Sequence, residues 1–97
     1  LSGSDLAQVI GVSGSTVSRY RKHTAQIEPT SKAGQLALLL VRLFRSLEAL
    51  VGASGEQRKL WMHSHNHALG GVPAQLILSP AGLVRTLDYL DGMRIAA

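Results

Sequence analysis

The chain contains no cysteine. Disulfides, thiolate metal sites and cysteine nucleophiles are thereby excluded, and the absence fits a reducing cytosol. Aromatic side chains are nearly missing as well: Tyr20, Phe44, Trp61 and Tyr89 are all there are. A core must therefore be built from Leu, Val, Ile and Ala, a mixture that favours helices. Charged residues make up only 16% of 97 positions, against 45% hydrophobic ones. That balance excludes disorder by composition. It also leaves little charge for so small a surface, as expected where a partner covers part of it. Long apolar runs are lacking. The longest, Leu36–Val41, is interrupted by Arg42 and Arg45 and is too short to span a bilayer. No basic segment followed by an apolar one opens the chain, so no signal peptide is read. The expectation is a cytoplasmic protein without a membrane partner. Strand-period alternation of useful length is missing too, and no internal repeat or low-complexity tract is visible. The length excludes a complete (β/α)₈ barrel or a full dinucleotide-binding fold. The chain opens on Leu1, which predicts that residues upstream have been trimmed.

What is present is a modest basic balance, net charge +4 with an isoelectric point near 10.1. Such a balance permits nucleic-acid contact without establishing it. Its distribution says more, because Arg19, Arg21 and Lys22 fall within four residues. They end a stretch, Gly3 to Lys22, that fits a helix-turn-helix. Leu6 and Ala7 lie on the first helix, with Ala7 small where the helices cross. Ile10 closes that helix, and Gly11-Val12-Ser13 makes the turn. Gly11 is expected to take a conformation that a β-carbon obstructs. Ile10, Val12 and Val17 are expected to bury the elbow, and Ser13 to cap the second helix. Gly14, Ser15, Ser18, Arg19 and Lys22 then face outward, as in a helix presented to a major groove. Candidate DNA-binding residues are Ser13, Ser15, Ser18, Arg19, Arg21 and Lys22. Arg19 has the fork to read a guanine edge, while Arg21 and Lys22 suit phosphates. The bland reading makes all three cations a solvated face.

The rest of the chain reads as helices joined by capped turns, so the fold class is all-α. Residues 24–33, with Thr24, Pro29, Thr30 and Ser31, form a polar connector, and Ser31 is a plausible N-cap. Over 33–51, Leu36, Leu40, Leu43, Leu47 and Leu50 step by four and three, a heptad seam. Leu39, Val41, Phe44 and Val51 widen that seam. Leu36, Leu40, Leu43 and Leu47 are candidate contacts of a homodimer as well as core. Gly52 ends this helix. Ser54 is expected to cap the next, with Glu56 in its first turn and Trp61 near its end, packed as a core anchor. His63 to Val72 reads as a loop. Pro73 starts a short helix over Ala74–Leu78, and Ser79-Pro80 starts the last one. Leu83, Val84, Leu87 and Leu90 form its apolar face. Gly92 is expected to end it and free a flexible tail, Met93–Ala97. The domains are read as 1–30, an N-terminally trimmed helix-turn-helix part, and 31–97, a helical part that includes the dimerisation seam.

The stretch Leu60-Trp61-Met62-His63-Ser64-His65-Asn66-His67-Ala68-Leu69-Gly70-Gly71-Val72-Pro73, continuing through Leu76-Ile77 to Gly82, resembles the Xre/MbcA/ParS antitoxin family. The family's toxin-binding domain carries a pattern like W-L-x-x-P-N-x-x-L-G-G-x-P-x-x-L-L, then a glycine and a last apolar helix. Trp61, Asn66, Leu69, Gly70, Gly71, Pro73, Leu76 and Gly82 match it, while Met62 and His65 stand where Leu and Pro are usual. The resemblance covers about residues 33–97, and a preceding helix-turn-helix is typical of the family. It implies a non-enzymatic antitoxin of a type II pair whose partner is a RES-domain toxin that consumes NAD⁺ or transfers ADP-ribose. It also implies operator DNA as a second partner, a homodimer within a larger toxin–antitoxin complex, and no cofactor. Trp61, Asn66, Leu69, Gly70, Gly71, Met93, Arg94 and Ile95 become the candidate toxin-binding residues. The tail and last helix would cover the toxin's pocket, with Arg94 where the anionic dinucleotide sits. Two other readings use the same residues. One is a stand-alone transcriptional repressor using residues 3–22 and the leucine seam. The other is a small metal enzyme built on His63, His65 and His67, although alternate spacing aligns three histidines only on a strand. Asp88 and Asp91 are exposed-face candidates on the last helix, with no visible nucleophile–base pair.

Overall fold

The computed structural model describes residues 2–22 and 25–96; the expectations that touch Leu1, Thr24 and Ala97 lie outside them. Six helices appear among the described residues: α1 (Gly3–Ile10), α2 (Gly14–Arg21), α3 (Lys32–Val51), α4 (Gly55–His63), α5 (Pro73–Leu76) and α6 (Pro80–Ala96). The only sheet-like pairing described is an isolated antiparallel bridge between Asn66 and Gly71. The all-α class read from the sequence holds. The chain forms two compact units, residues 1–38 and 39–97, and their boundary falls inside α3. No helix of the described residues is long and apolar enough to cross a membrane.

The first unit is set by its caps. The Ser2 side chain accepts from the Asp5 amide at 3.0 Å and opens α1. Gly11 closes it at φ 74°, a left-handed conformation in which its N–H reaches the Ala7 carbonyl. Ser13 accepts from the Thr16 amide and opens α2 as expected. Ala7, Val9, Ile10 and Val17 are the buried elbow, whereas Val12, expected there, is half-buried. Val9 takes its place because it shares the inward face of α1 with Ala7 and Ile10, while Val12 lies beyond the helix end. The Ser31 hydroxyl accepts from the Gly34 amide at 3.0 Å and opens α3.

The second unit buries Leu40, Leu43, Leu47, Met62, Leu69, Ile77, Leu83, Leu87 and Leu90. Each such side chain contributes about 1.5–3 kcal/mol on transfer from water. Gly52 ends α3 at φ 90°. Ser54 occupies the N-cap of α4, but its hydroxyl makes no cap bond. Only its backbone carbonyl serves, accepting from the Arg58 amide. Helix α5 starts at Pro73 and ends at Leu76, two residues before the expected end. Ser79 caps α6 through the Gly82 amide at 3.1 Å.

Three positions differ from expectation. Val84 is 42% exposed, and Thr86 completes the buried face of α6 with Leu83, Leu87 and Leu90. The Thr86 hydroxyl is satisfied by donating to the Gly82 carbonyl at 2.8 Å, which lets it lie inside. Val41 is 46% exposed and does not widen the buried face of α3. Gly92 does not end α6, because the helix runs through it to Ala96. One interior glycine costs a helix about 1 kcal/mol, and contacts beyond it offset that cost: Arg94 Nη1 donates to Ser46 Oγ on α3 at 3.2 Å.

Candidate partner-binding sites

The outer face of α2 carries the residues expected at DNA. Ser15, Arg19, Arg21 and Lys22 are exposed, and Ser18 is half-buried. They are not independent. Ser13 Oγ lies 2.8 Å from Thr16 Oγ1, and Thr16 Oγ1 accepts from Arg19 Nη2 at 3.1 Å. The Ser13 hydroxyl is thus engaged by the cap of α2, while Arg19 is steered along one side of the helix. A β-carbon on Gly3 would touch the Arg21 guanidinium at 3.4 Å, so that side chain lies back against α1. Arg19, Lys22 and Ser15 remain the outward set.

The loop between α4 and α5 is built on Asn66. Its amide donates to the Gly71 carbonyl at 2.8 Å, and its carbonyl accepts from the Gly70 and Gly71 amides at 2.8 and 3.2 Å. Its Oδ1 accepts from the Leu69 amide at 3.0 Å. These bonds require a left-handed turn at Gly70, φ 74°. Leu69 is driven into the interior, and Arg85 Nη2 of α6 reaches the Ala68 carbonyl at 3.4 Å. The conformation is therefore closed by hydrogen bonds in a chain that has His65 in front of Asn66.

Trp61 is half-buried rather than a core anchor. Met62, one position on, takes the inward place on α4. Trp61 instead borders a depression of about 250 Å³ with Val51, Gln57, Leu60, Ser64, His65 and Asn66. Leu60 beside it is 63% exposed. The three histidines separate: His63 ends α4, while the His65 and His67 rings meet edge to face at 4.9 Å. Among the described residues no three His, Cys, Asp or Glu side chains are placed to hold a metal ion.

Residues 46–94 match the family model of the antitoxin Xre/MbcA/ParS C-terminal toxin-binding domain. The chain belongs to this antitoxin family. Among curated proteins nothing matches it. The toxin-binding domain, as matched, takes in the last turns of α3 and ends on Arg94, and the helix-turn-helix pattern lies before it.

The end of α6 in this domain differs from the expected free tail. Met93 and Ile95 are exposed, but both are helical, and Arg94 is held by Ser46. Ser46 also donates to Asp91 Oδ1, and Arg42 pairs with Asp91 at 3.7 Å. Asp91 is therefore a half-buried, partnered carboxylate rather than an exposed one. Together Arg42, Arg45, Ser46, Asp91, Arg94 and Ile95 line an open cleft of about 540 Å³. Sequence reasoning named Arg94 and Ile95 but missed Arg42, Arg45 and Ser46. The available signal was their spacing, i, i+3 and i+4, which sets all three on one side of a helix. The leucines expected at a dimer contact are unevenly placed within the single chain. Leu43 and Leu47 have no exposed surface and Leu40 only 6%, so these belong to the interior, while Leu36 is half-buried.

Proposed function

We propose that the chain is the antitoxin of a type II pair, whose second unit binds and occludes a RES-type toxin that consumes NAD⁺ or transfers ADP-ribose. The observation that carries this reading is the match of residues 46–94 to a toxin-binding domain. The apolar groups left exposed on that domain support it: Leu60 beside Trp61, and Met93 with Ile95 on the last turn of α6. Interface cores favour such apolar and aromatic groups. Occlusion in this reading uses a helical end rather than a loose peptide. Less chain entropy is lost when a preformed helix docks.

The first unit is read as an operator-binding element that represses the antitoxin's own operon. Its support is the pair of capped helices with Ser15, Arg19 and Lys22 outward. A homodimer fits paired half-sites, and of the seam leucines Leu36 keeps exposed surface for it while Leu40, Leu43 and Leu47 are interior to the chain. The test is NAD⁺ consumption by the RES-like protein encoded beside this chain, with and without it. Inhibition at a stoichiometric ratio is expected, and deletion of residues 93–97 should weaken it. Unchanged NAD⁺ loss with the full chain would turn the reading to a stand-alone repressor.

A further inference from the structure

The cleft between α3 and the last turns of α6 holds three guanidinium groups, Arg42, Arg45 and Arg94, against one carboxylate, Asp91. Its members are unequally engaged. Arg94 is bound to Ser46, and Ser46 to Asp91. Arg42 reaches Asp91 only at 3.7 Å, with its side chain about half exposed. Arg45 is exposed and has no hydrogen-bond or ion-pair partner among the described residues. Arg45 is thus available to an incoming anion, with the half-exposed, loosely paired Arg42 on the adjacent turn of α3, over a floor of Ser46, Asp91 and Arg94. Ile95, 88% exposed, adds an apolar rim.

We propose that this cleft is a clamp for an Asp or Glu side chain on the bound toxin; the proposal rests on the reading that the second unit binds a toxin. Arginine forks donate two parallel N–H bonds to a carboxylate. Asp91 in the floor disfavours a multiply charged phosphate more than a single carboxylate. The lining carries no aromatic ring on which a nucleotide base would stack. Ile95 at the rim suits a protein surface, where an acidic side chain sits among apolar neighbours. Arg42 and Arg45 precede the residues that match the family domain, so the clamp extends the binding surface beyond it.

The test compares Arg45→Gln with Lys32→Gln, each removing one exposed positive charge. Affinity for the RES-like protein encoded beside this chain should fall about tenfold in Arg45→Gln and stay within about twofold in Lys32→Gln. Equal effects would overturn the clamp. A second measurement needs no toxin: the melting temperature of the chain titrated with a short oligoglutamate. A rise that is lost in the Arg42→Gln/Arg45→Gln variant is expected. No rise, or the same rise in both proteins, overturns the clamp even where the toxin binds. A larger rise with inorganic phosphate at matched ionic strength also overturns it in favour of a phosphate ligand. Oligoglutamate stabilisation that persists where no toxin binds supports the clamp and removes the toxin reading alone.

Discussion

Gly82 lies in the first turn of α6 directly against the Leu76 carbonyl oxygen, and a β-carbon there would overlap that oxygen. Backbone cannot move aside as a side chain can. Gly82→Ala is therefore expected to cost about 1–3 kcal/mol, measured by urea denaturation, with unchanged stability ruling out so close an approach. Resemblance alone flagged this glycine, because nothing in the local sequence says that α5 and α6 meet there. The turn at Asn66 is local by contrast. The Asn66 side chain bonds an amide only three residues on, and the two glycines that complete the turn follow within five residues. Trp61 shows the limit of residue-type reasoning. A lone Trp in a Leu-rich chain reads as core, but the helical register of α4 gives the inward position to Met62.

At the scale of elements, caps and periodicity carried most of the fold. Ser13, Ser31 and Ser79 each open a helix with the side-chain bond their position predicts. Ends were harder. Gly11 and Gly52 stop helices with left-handed backbone, whereas Gly92 stays helical because tertiary contacts from Arg94 and Asp91 hold the turn around it. No local signal separates these cases, since the deciding partner, Ser46, lies 46 residues before Gly92. A β-carbon at Gly92 meets nothing within 4 Å. Gly92→Ala should therefore stabilise the chain by about 0.5–1 kcal/mol, read as a higher midpoint in thermal or urea unfolding. A loss of stability would mean that the helix does not continue through this position.

For the whole molecule, the division into two compact units matches a division of chemistry. The outward cations of α2 belong to residues 1–38, and the Asn66 loop and arginine cleft to residues 39–97. On the proposed function these should be separable. Arg19→Ala with Lys22→Ala is expected to reduce retention of promoter DNA at least about tenfold and to flatten its salt dependence. Neutralisation of the toxin should remain as in the unchanged chain. Loss of both activities together would show that they share a surface or depend on one assembly. The sequence motifs place a boundary at 30/31, in the polar connector, whereas the compact units divide at 38/39, inside α3. The sequence did not reveal the cleft, since Arg42 and Asp91 come together only when α3 and α6 pack.

The Asn66 loop reaches a partner already ordered. Its amide, its carbonyl and its side-chain oxygen are already bonded within the loop, and Leu69 is anchored inside. A protein that seats against this loop meets a surface with little backbone motion left to arrest. Ordering the loop then subtracts little from the binding free energy, so side-chain complementarity, rather than adaptation, decides which partners stay bound.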